Sequence, residues 1–241
     1  MIIDDFPDDI GQENNTAILV VSCKRFEQVW DPFFILFRKF WPDCPYKIYF
    51  GIDCGSHDDA NIITIKTGKD IGWGNICLNA VNKIPANRII LFLEDFILKG
   101  PANTQEIRRL VKYSHDNDIG CLRLCPCPGP SAVWQDCESL GLIKTNDDYR
   151  VSLQTAIWKK SILNKIIHDG DDAWTVETSG IDRAKDIKEP FLSVWRESED
   201  IPGGPIPYVI TAVVKGKWHI DGINLLKREN ISTDNITIEI P

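Results

Sequence analysis

Continuous runs of apolar residues, each ended by a polar or acidic residue, recur through the first half of the chain. The clearest runs lie at residues 16–22, 46–52 and 88–93, and shorter ones lie at 61–65 and 118–125. An apolar run without alternation is typical of a strand that is buried on both faces. These five segments are therefore predicted to be strands of one central sheet.

Between these runs, apolar side chains recur at intervals of three and four residues, which is the period of a helix with one buried face. The predicted helices lie at residues 25–41, 75–84 and 103–115. The resulting order of elements is β-α-β-β-α-β-α-β. This order predicts an α/β fold with a mostly parallel sheet and helices on both of its faces.

The second half of the chain is less regular. Its pattern predicts a strand at residues 148–153, an amphipathic helix at 158–167 and a further strand at 208–214. The Pro- and Gly-rich segment at 201–207 is interpreted as a loop, because too little chain follows it to form a second core. We therefore expect a single domain over residues 16–230, with a polar lead-in at 1–15 and a tail at 231–241.

Composition and charge disfavour nucleic-acid-binding, membrane-spanning and secreted proteins. The chain has 241 residues, is 43% hydrophobic and carries a net charge of -8. This acidic balance disfavours a nucleic-acid partner, because binding to phosphates needs clustered Lys and Arg. No apolar stretch approaches the roughly 18 to 20 residues that span a bilayer, and the first residues, Met1–Asp5, lack the basic region of a signal peptide. We expect a cytoplasmic protein, for which peripheral association with a membrane remains open.

The eight cysteines are expected to be free thiols, because nothing in the sequence indicates secretion. Cys121, Cys125 and Cys127 form the closest group. A zinc site would require Cys-x2-Cys spacing and a second pair of ligands. These thiols are therefore interpreted as residues of the core and of strand ends.

The most informative segment for function is the end of the strand at 88–93, where Glu94 and Asp95 follow directly. Ligands of open α/β sheets bind beyond the carboxyl ends of the strands. Carboxylates at that edge can hold Mg2+ or Mn2+, which stabilises a diphosphate leaving group. Adjacent strand residues point to opposite faces, so both can serve one metal only if the backbone turns here. The alternatives are an acidic strand end that faces solvent and a helix cap for the next element.

Polar residues follow two other strands at the same edge. Ser22 and Arg25 come after the first strand, and Asp53 ends the second. Arg25 could bind a phosphate through two hydrogen bonds, and a strand-end Asp can accept hydrogen bonds from ribose. The sequence has neither the Gly-rich dinucleotide motif nor a P-loop. Each residue alone could equally be structural.

A Gly-Trp-Gly turn opens the predicted helix before the strand at 88–93. Glycines beside Trp73 permit close backbone approach, and a helix N-terminus attracts anions. Trp73, Gly74 and Asn75 are therefore predicted to contact the diphosphate-bearing ligand at this edge. A capped turn with a core tryptophan is an equal alternative.

Tryptophans among polar residues in the second half suit a sugar, which offers apolar C–H faces and hydroxyls. Gln154, Trp158 and Trp174 are the predicted acceptor-binding residues, and Glu177 is a candidate general base. His219 is a candidate late metal ligand. Each has a structural alternative. Trp158 could be a core residue, Glu177 could be a glutamate on a helix surface, and His219 could be a surface or core histidine that is hydrogen-bonded within the protein.

These segments carry a resemblance to a group of bacterial glycosyltransferase-like proteins found among polysaccharide and lipopolysaccharide biosynthesis genes. The matching segments are Ser22–Arg25, Gly72–Gly74, Leu93–Phe96, Ser152–Trp158 and Trp174–Glu177. The similarity spans roughly residues 16–228. It implies a GT-A-like fold, in which a D-x-D motif binds metal and the donor diphosphate. Here Glu94 replaces the first Asp, and the two acidic residues are adjacent, so the resemblance implies the fold more firmly than metal dependence.

The function predicted from these features is transfer of a sugar from a nucleoside diphosphate donor to a hydroxyl of a glycan or glycolipid. Whether the reaction inverts or retains configuration stays open. A sugar nucleotidyltransferase is one alternative, but Ser22–Phe26 is poor in the glycines that such enzymes use. A catalytically silent carbohydrate-binding protein on the same fold is the other.

Overall fold

The computed structural model describes residues 15–135, 137–195, 203–214 and 216–233. Most of the described strands form one nine-stranded sheet, in the order β3-β2-β1-β4-β8-β5-β9-β7-β6. Two further strands form a separate hairpin. The strand bounds are β1 Thr16–Val21, β2 Lys47–Ile52, β3 Ile62–Lys66, β4 Arg88–Leu93, β5 Cys121–Arg123, β6 Ala132–Trp134, β7 Cys137–Leu142, β8 Ala156–Lys159, β9 Phe191–Val194, β10 Val213–Val214 and β11 Lys217–Trp218.

The helices cover both faces of this sheet. Their bounds are α1 Glu27–Phe40, α2 Trp73–Lys83, α3 Thr104–Asp116, α4 Lys160–Ile166, α5 Ala173–Ala184 and α6 Ile220–Arg228, and a short 3-10 turn at Lys24–Phe26 precedes α1. One buried cluster joins α2, α4 and α5 to the sheet, and a second joins α1 and α3 to its other face. The odd-numbered residues of β1 pack in the first cluster, whereas Ile18 and Val20 pack in the second. That arrangement explains why β1 is apolar throughout.

The predicted α/β fold class is confirmed. Strands β3, β2, β1 and β4 pair in parallel, β8 runs antiparallel between β4 and β5, and β9 is parallel to β5. The direction reverses again at β7. The sheet is thus mixed, and all its strands except β8 and β7 run in one direction. All five strands and three helices predicted in the first half are present within a few residues of their expected bounds.

The three elements predicted in the second half fare differently: the strand at 148–153 is absent, the helix at 158–167 is present but starts later, and the strand at 208–214 forms only in part. No strand forms at 148–153, where the chain turns and Tyr149 has a φ of 54°. The helix expected at 158–167 begins at Lys160, because Ala156–Lys159 is strand β8, whose first three residues are buried. At 208–214, only Val213 and Val214 form a strand, in the hairpin with β11.

The segment 203–214 runs along the chain that follows β4. Lys99 donates its backbone N–H to Pro207 (3.0 Å), Val209 donates to Ile97 (2.9 Å) and Ala212 donates to Asp95 (3.1 Å). Helix α6 then packs on this segment and on the outer side of α1 in a third buried cluster. Residues far apart in sequence therefore enclose the chain around Asp95.

No helix in the described ranges combines the length and the apolar character needed to cross a membrane.

Candidate active site at the carboxyl edge of the sheet

A cavity of about 400 Å³ opens at the carboxyl ends of β1 and β4. Four of the residues predicted for the site lie in its wall: Arg25, Trp73, Glu94 and Asp95. The complete lining consists of Arg25, Phe26, Trp73, Leu93, Glu94, Asp95, Ala173, Val213 and Gly216. The cavity thus combines one cation, two carboxylates and an aromatic wall at the edge where open α/β sheets bind ligands.

A second cavity, of about 320 Å³, lies between α1 and the loop at residues 57–60. Four of its titratable groups form two pairs with one another. His57 Nε2 lies 3.2 Å from Asp31 Oδ1, and Arg38 forms an ion pair with Asp59. The chemistry predicted from the sequence therefore belongs to the first cavity.

The chain turns immediately after β4. Glu94 and Asp95 occupy this turn, and the backbone N–H of Phe96 donates to the carbonyl of Leu93 (3.2 Å). Because the backbone leaves the extended conformation here, the two adjacent carboxylates line one cavity instead of pointing to opposite faces of the sheet. The backbone turn that would let both carboxylates bind one metal is therefore present.

Both carboxylates have raised pKa values. Loss of hydration is the largest cause for Glu94, and the charge of Asp95 adds to it, so that the pKa of Glu94 rises to about 8 against the opposing effects of Ser22 and Arg25. Loss of hydration likewise raises the pKa of Asp95 to about 7, although a backbone hydrogen bond from Val213 acts in the opposite direction. A cation bound between the two carboxylates would favour their charged forms.

The carboxylate pair suits a metal that is completed by its ligand. Among the described residues, no group of three His, Cys, Asp or Glu side chains could enclose a metal ion. Mg2+ is commonly held by one or two carboxylates, together with substrate phosphates and water. Glu94 and Asp95 fit that mode of binding.

His219 does not join the two carboxylates. It caps the N-terminus of α6, where its Nδ1 accepts the backbone N–H of Asp221 (3.3 Å). The same nitrogen lies 3.3 Å from the carboxylate of Asp221. His219 is also absent from the cavity wall. A metal-binding role through its other ring nitrogen, Nε2, stays a prediction.

Ser22 contacts Glu94 rather than open space. The side chain is buried, and its Oγ accepts the indole N–H of Trp30 (2.7 Å). Its hydroxyl also acts on Glu94 as a hydrogen-bond donor, which is one of the effects that lower the pKa of that carboxyl. The structure thus places Ser22 behind the carboxylate pair, with Trp30 as a partner that the sequence analysis missed.

Asp53 holds the turn that carries Arg25. Its Oδ1 accepts the backbone N–H of Lys24 (2.7 Å) at the start of the 3-10 turn. Arg25 and Phe26 follow in that turn and line the cavity, whereas Asp53 does not. Ribose contact by Asp53 remains a prediction, and its observed role is to anchor the turn.

In the Gly-Trp-Gly turn and the residue after it, Trp73 lines the cavity, whereas Gly74 and Asn75 contact a neighbouring loop. Gly74 donates its backbone N–H to Asp171 (2.7 Å), and a Cβ at Gly74 would collide with the carbonyl oxygen of His168. Asn75 donates its side-chain amide to Asp169 (3.3 Å). Gly74 and Asn75 therefore attach α2 to the loop before α5. Their contact with a donor stays a prediction.

Glu177 is held in a defined orientation on α5. Its Oε1 accepts hydrogen bonds from the backbone N–H of Leu153 (2.7 Å) and from the hydroxyl of Ser152 (3.1 Å). Ala173, four residues earlier on the same helix face, lines the cavity. Glu177 thus lies one helical turn beyond the cavity wall. Trp174 is 64% exposed at the start of this helix.

Trp158 is not available to a ligand. It is fully buried in β8 and packs edge-on against Phe191, with ring centroids 5.8 Å apart. The prediction that it binds an acceptor is wrong, and the alternative of a core residue is correct. Gln154, four residues earlier, is partly exposed and accepts a hydrogen bond from Tyr208 (2.8 Å).

Several residues near the site were missed by the sequence analysis. Val213 and Gly216 reach the cavity from the β10–β11 hairpin, and Tyr208 reaches Gln154 from the segment before it. Gly216 has a φ of 80°, so the Gly between two lysines was a turn signal in the sequence. Nothing in the sequence showed that this hairpin lies at the end of β4.

No family model matches the chain, and no curated protein matches it. Solved structures of S. aureus TarS, a glycosyltransferase, are similar in fold. The full TarS structure shares a TM-score of 0.55 at 11% identity, over 93% of this chain and 40% of TarS. TarS 1-349 in complex with UDP-GlcNAc shares a TM-score of 0.50 at 13% identity, over 93% of this chain and 68% of that one.

A structure of TarS 1-349 in complex with UDP is similar to the same degree, with a TM-score of 0.50 at 12% identity over 75% of this chain. The match covers 60% of that structure, so this chain corresponds to only part of TarS. At such low identity the likeness concerns the backbone. The chain has a GT-A-like α/β fold, and its carboxylate cavity lies at the carboxyl edge of the central sheet.

Proposed function

We propose that the protein is a glycosyltransferase that moves a sugar from a nucleoside diphosphate donor to a hydroxyl of a glycan or glycolipid. The observation that carries this proposal is the cavity that combines Arg25, Trp73, Glu94 and Asp95. The fold adds support, because the similar TarS structures include complexes with UDP and UDP-GlcNAc.

In this proposal the diphosphate lies between Arg25 and the two carboxylates. The guanidinium of Arg25 would bind phosphate oxygens directly. Glu94 and Asp95 would hold Mg2+ or Mn2+, which supplies positive charge against the charge that develops on the leaving diphosphate. Trp73 and Phe26 would cover the nucleotide, while Ser22 orients Glu94 and Asp53 fixes the turn that carries Arg25.

The acceptor would enter from the side of α5. Trp174, with most of its surface exposed, offers an apolar face on which a sugar ring can stack. Glu177 would accept the proton of the attacking hydroxyl if the reaction inverts at the anomeric carbon. A retaining reaction would use Glu177 only for binding.

The expected biological setting is polysaccharide or lipopolysaccharide synthesis in a bacterium, with the protein in the cytoplasm and in contact with the membrane at most peripherally. This setting rests on the resemblance of the sequence motifs. The similar TarS structures support the fold and leave the pathway to experiment.

Two rival functions use the same cavity differently. A sugar nucleotidyltransferase would bind a nucleoside triphosphate and a sugar phosphate, and the turn Lys24–Phe26 lacks the glycines that would cradle the longer phosphate chain. A silent carbohydrate-binding protein would keep Trp174 but bind no nucleotide.

Thermal unfolding with UDP, GDP, ADP and CDP, each with and without Mn2+, tests the proposal. A diphosphate at 100 times its dissociation constant should stabilise the protein by about 2.7 kcal/mol. We expect at least one of them to do so, and more strongly with Mn2+. If no diphosphate stabilises the protein, the function is wrong. If triphosphates with Mg2+ bind much better than diphosphates, the nucleotidyltransferase replaces it.

A further inference from the structure

Arg25 and Phe26 are consecutive residues of the 3-10 turn that follows β1, and both line the carboxylate cavity. The guanidinium carbon of Arg25 lies 5.2 Å from the centroid of the Phe26 ring. This separation is within the range of about 6 Å over which the face of an aromatic ring attracts a cation. The two side chains are therefore in contact with each other in the cavity wall.

The contact with Phe26 is what holds the charged end of Arg25. The side chain is exposed, and among the described residues its guanidinium has no hydrogen bond and no ion pair. Lys24, the residue before it, differs, because its ammonium forms an ion pair with Glu27. Within the described ranges, the N–H groups of Arg25 are therefore available to a ligand.

Phe26, in contrast, is fixed from two sides. Its side chain is partly buried and packs against two buried clusters, the one that joins α2, α4 and α5 to the sheet and the one that joins α6 to α1. Its backbone N–H also donates to the carbonyl of Cys23 (2.9 Å). The ring thus offers the exposed Arg25 side chain a surface whose position is set by the core.

This contact prepares Arg25 to bind a phosphate. A ring face attracts the charge of a guanidinium and uses none of its N–H groups, so these groups can bind two phosphate oxygens while the contact persists. An exposed arginine without such a contact would lose more of its conformational freedom on binding, which weakens the affinity. The contact with Phe26 reduces that loss before the ligand arrives.

We propose that Phe26 is a positioning residue, whose ring holds the guanidinium of Arg25 at the cavity in the orientation that binds the diphosphate of the donor. This inference rests on the proposed function, because it assigns Arg25 to the diphosphate. It gives Phe26 a role that is independent of the nucleotide base. A ligand that has a diphosphate but no base should therefore also depend on Phe26.

Nuclear magnetic resonance of the free protein tests the contact before any ligand is added. Protons over the face of an aromatic ring resonate upfield. The chain has ten arginines, and the side-chain signals of Arg25 can be assigned by their loss in Arg25→Lys. We expect the Hδ and Hε signals of Arg25 to be shifted upfield in the wild type and in Phe26→Tyr, and to lose this shift in Phe26→Leu.

Phe40→Leu is the matched control. Phe40 is a partly buried phenylalanine at the end of α1, and the ammonium of the residue before it, Lys39, lies 5.6 Å from its ring centroid. This variant removes the same kind of contact outside the cavity wall, so it should keep the Arg25 shift and the affinity for a diphosphate. If the wild type shows no upfield shift of Arg25, or if Phe26→Leu retains it, the proposal is wrong.

A double-mutant cycle separates positioning of Arg25 from a direct contact between Phe26 and the ligand. The probe is inorganic pyrophosphate with Mg2+, which has no base for a ring to cover, and calorimetry gives its dissociation constant. Phe26→Leu should raise this constant about 2- to 5-fold, as expected for loss of an exposed cation–π contact, and Phe26→Tyr should change it by less than about twofold. In an Arg25→Gln background, Phe26→Leu should have no further effect.

The outcomes distinguish this inference from the proposed function. An equal rise of the dissociation constant in both backgrounds would mean that Phe26 contacts the ligand directly, and the positioning role would be wrong. Unchanged affinity in Phe26→Leu would overturn it as well. If the wild type shows the upfield shift but binds neither pyrophosphate nor a nucleoside diphosphate, the proposed function is wrong, and the positioning role is wrong with it, although the contact between the two side chains stands.

Discussion

Asp53 and Asp95 both follow strands at the same edge of the sheet, yet their surroundings give their pKa values opposite directions. Burial acts to raise the pKa of Asp53, but hydrogen bonds from Lys24 and Cys54 outweigh it and the pKa is lowered. At Asp95, burial prevails and the pKa rises to about 7. The protein's own hydrogen bonds thus stabilise the charged form of Asp53, whereas the charged form of Asp95 would gain from a bound metal cation.

Removing the charge of Asp95 tests its role in holding the donor. Asp95→Asn keeps the size of the side chain and removes the repulsion from Glu94, so the protein should fold with undiminished thermal stability. Turnover should fall by more than about 100-fold, by analogy with other losses of electrostatic stabilisation. Calorimetry should show weaker Mn2+-dependent binding of the nucleoside diphosphate.

Asp148→Asn is the control, because Asp148 is exposed in a turn outside the cavity wall. It should bind and turn over like the wild type. Unchanged diphosphate affinity in Asp95→Asn would remove Asp95 from the donor site.

The raised pKa values predict how stability depends on pH in the absence of ligand. The carboxyl of Glu94 titrates near 8 in the folded protein, against an ordinary value of 4.5. Asp95 titrates near 7, against 3.8. Between the ordinary pKa and the raised pKa of each carboxyl, the folded state binds more protons than the unfolded state. The free energy of unfolding therefore falls as pH rises through this range. The melting temperature should therefore decrease between pH 5 and about pH 8.

A Glu94→Gln, Asp95→Asn double variant should lose most of this decrease, and Mn2+ with a diphosphate should reduce it in the wild type. Melting curves at pH 5, 6, 7 and 8 provide the comparison. If wild type and double variant show the same slope, the two carboxyls are not the groups that titrate.

Glu177 is the residue for which a proton-transfer role is predicted. Glu177→Gln retains an oxygen that can accept from Leu153 and Ser152, and it removes the basic carboxylate. If Glu177 is the base of an inverting reaction, kcat should fall by about 10²- to 10⁴-fold, while diphosphate binding stays unchanged. A fall of less than about threefold would assign Glu177 to structure or to acceptor binding alone.

At the scale of elements, the site depends on how closely α2 approaches the loop before α5. The cavity wall takes Trp73 from α2 and Ala173 from α5. Between them, the N–H of Gly74 bonds to Asp171, and the carboxylate of Asp171 forms an ion pair with Arg183 at the far end of α5. The contact between α2 and the loop before α5 thus holds Trp73 and Ala173 in the same cavity wall.

Gly74→Ala should disturb this contact. Its Cβ would meet the carbonyl oxygen of His168 and the side chains of Asp171 and Ile167. We expect a loss of stability of about 1 to 3 kcal/mol, as is typical of overpacking, and weaker diphosphate binding because Trp73 moves with the helix end. Urea unfolding and calorimetry measure the two effects.

Gly129→Ala is the matched control, because the nearest atom to a Cβ there is 3.8 Å away. It should leave stability within about 0.5 kcal/mol of the wild type. A Gly74→Ala protein as stable as this control would show that α2 and the loop can separate at little cost.

At the scale of the whole molecule, burial controls the reactivity of the thiols. All eight cysteines are free, as the sequence predicted, and Cys54 is the exposed one. Burial raises the pKa of Cys121 and Cys44 to about 12 and that of Cys125 to about 11. The thiolate is the reactive form, so thiols within the core should react only after unfolding.

Titration with a thiol reagent should therefore show Cys54 as the fastest site in the native protein, lost in Cys54→Ser, and no reaction of the four buried thiols. In denaturant without reductant it should show all eight. Fewer than eight thiols in denaturant, or bound zinc, would contradict the view that these cysteines are passive core residues.

The sequence by itself determined the first half of the fold, where each strand or helix has a hydrophobic pattern that identifies it. Strands β1 and β4 are buried on both faces, so they are continuous apolar runs, and α1 and α3 bury one face and show the helical period. The carboxyl edge followed from the order of these elements, because parallel strands end on the same side. Glu94, Asp95, Arg25 and Trp73 could be assigned to that edge before any coordinates.

Tertiary structure decided what depends on contacts between distant segments. The antiparallel insertion of β8 turned Trp158 into a core residue, and the N-terminus of α6 is capped by Nδ1 of His219. Tyr208 forms hydrogen bonds with Thr155 and Gln154, more than fifty residues earlier in the chain. Periodicity reports the surroundings of one element, but hydrogen-bond partners and cavity walls are set by packing between elements, which no local pattern contains.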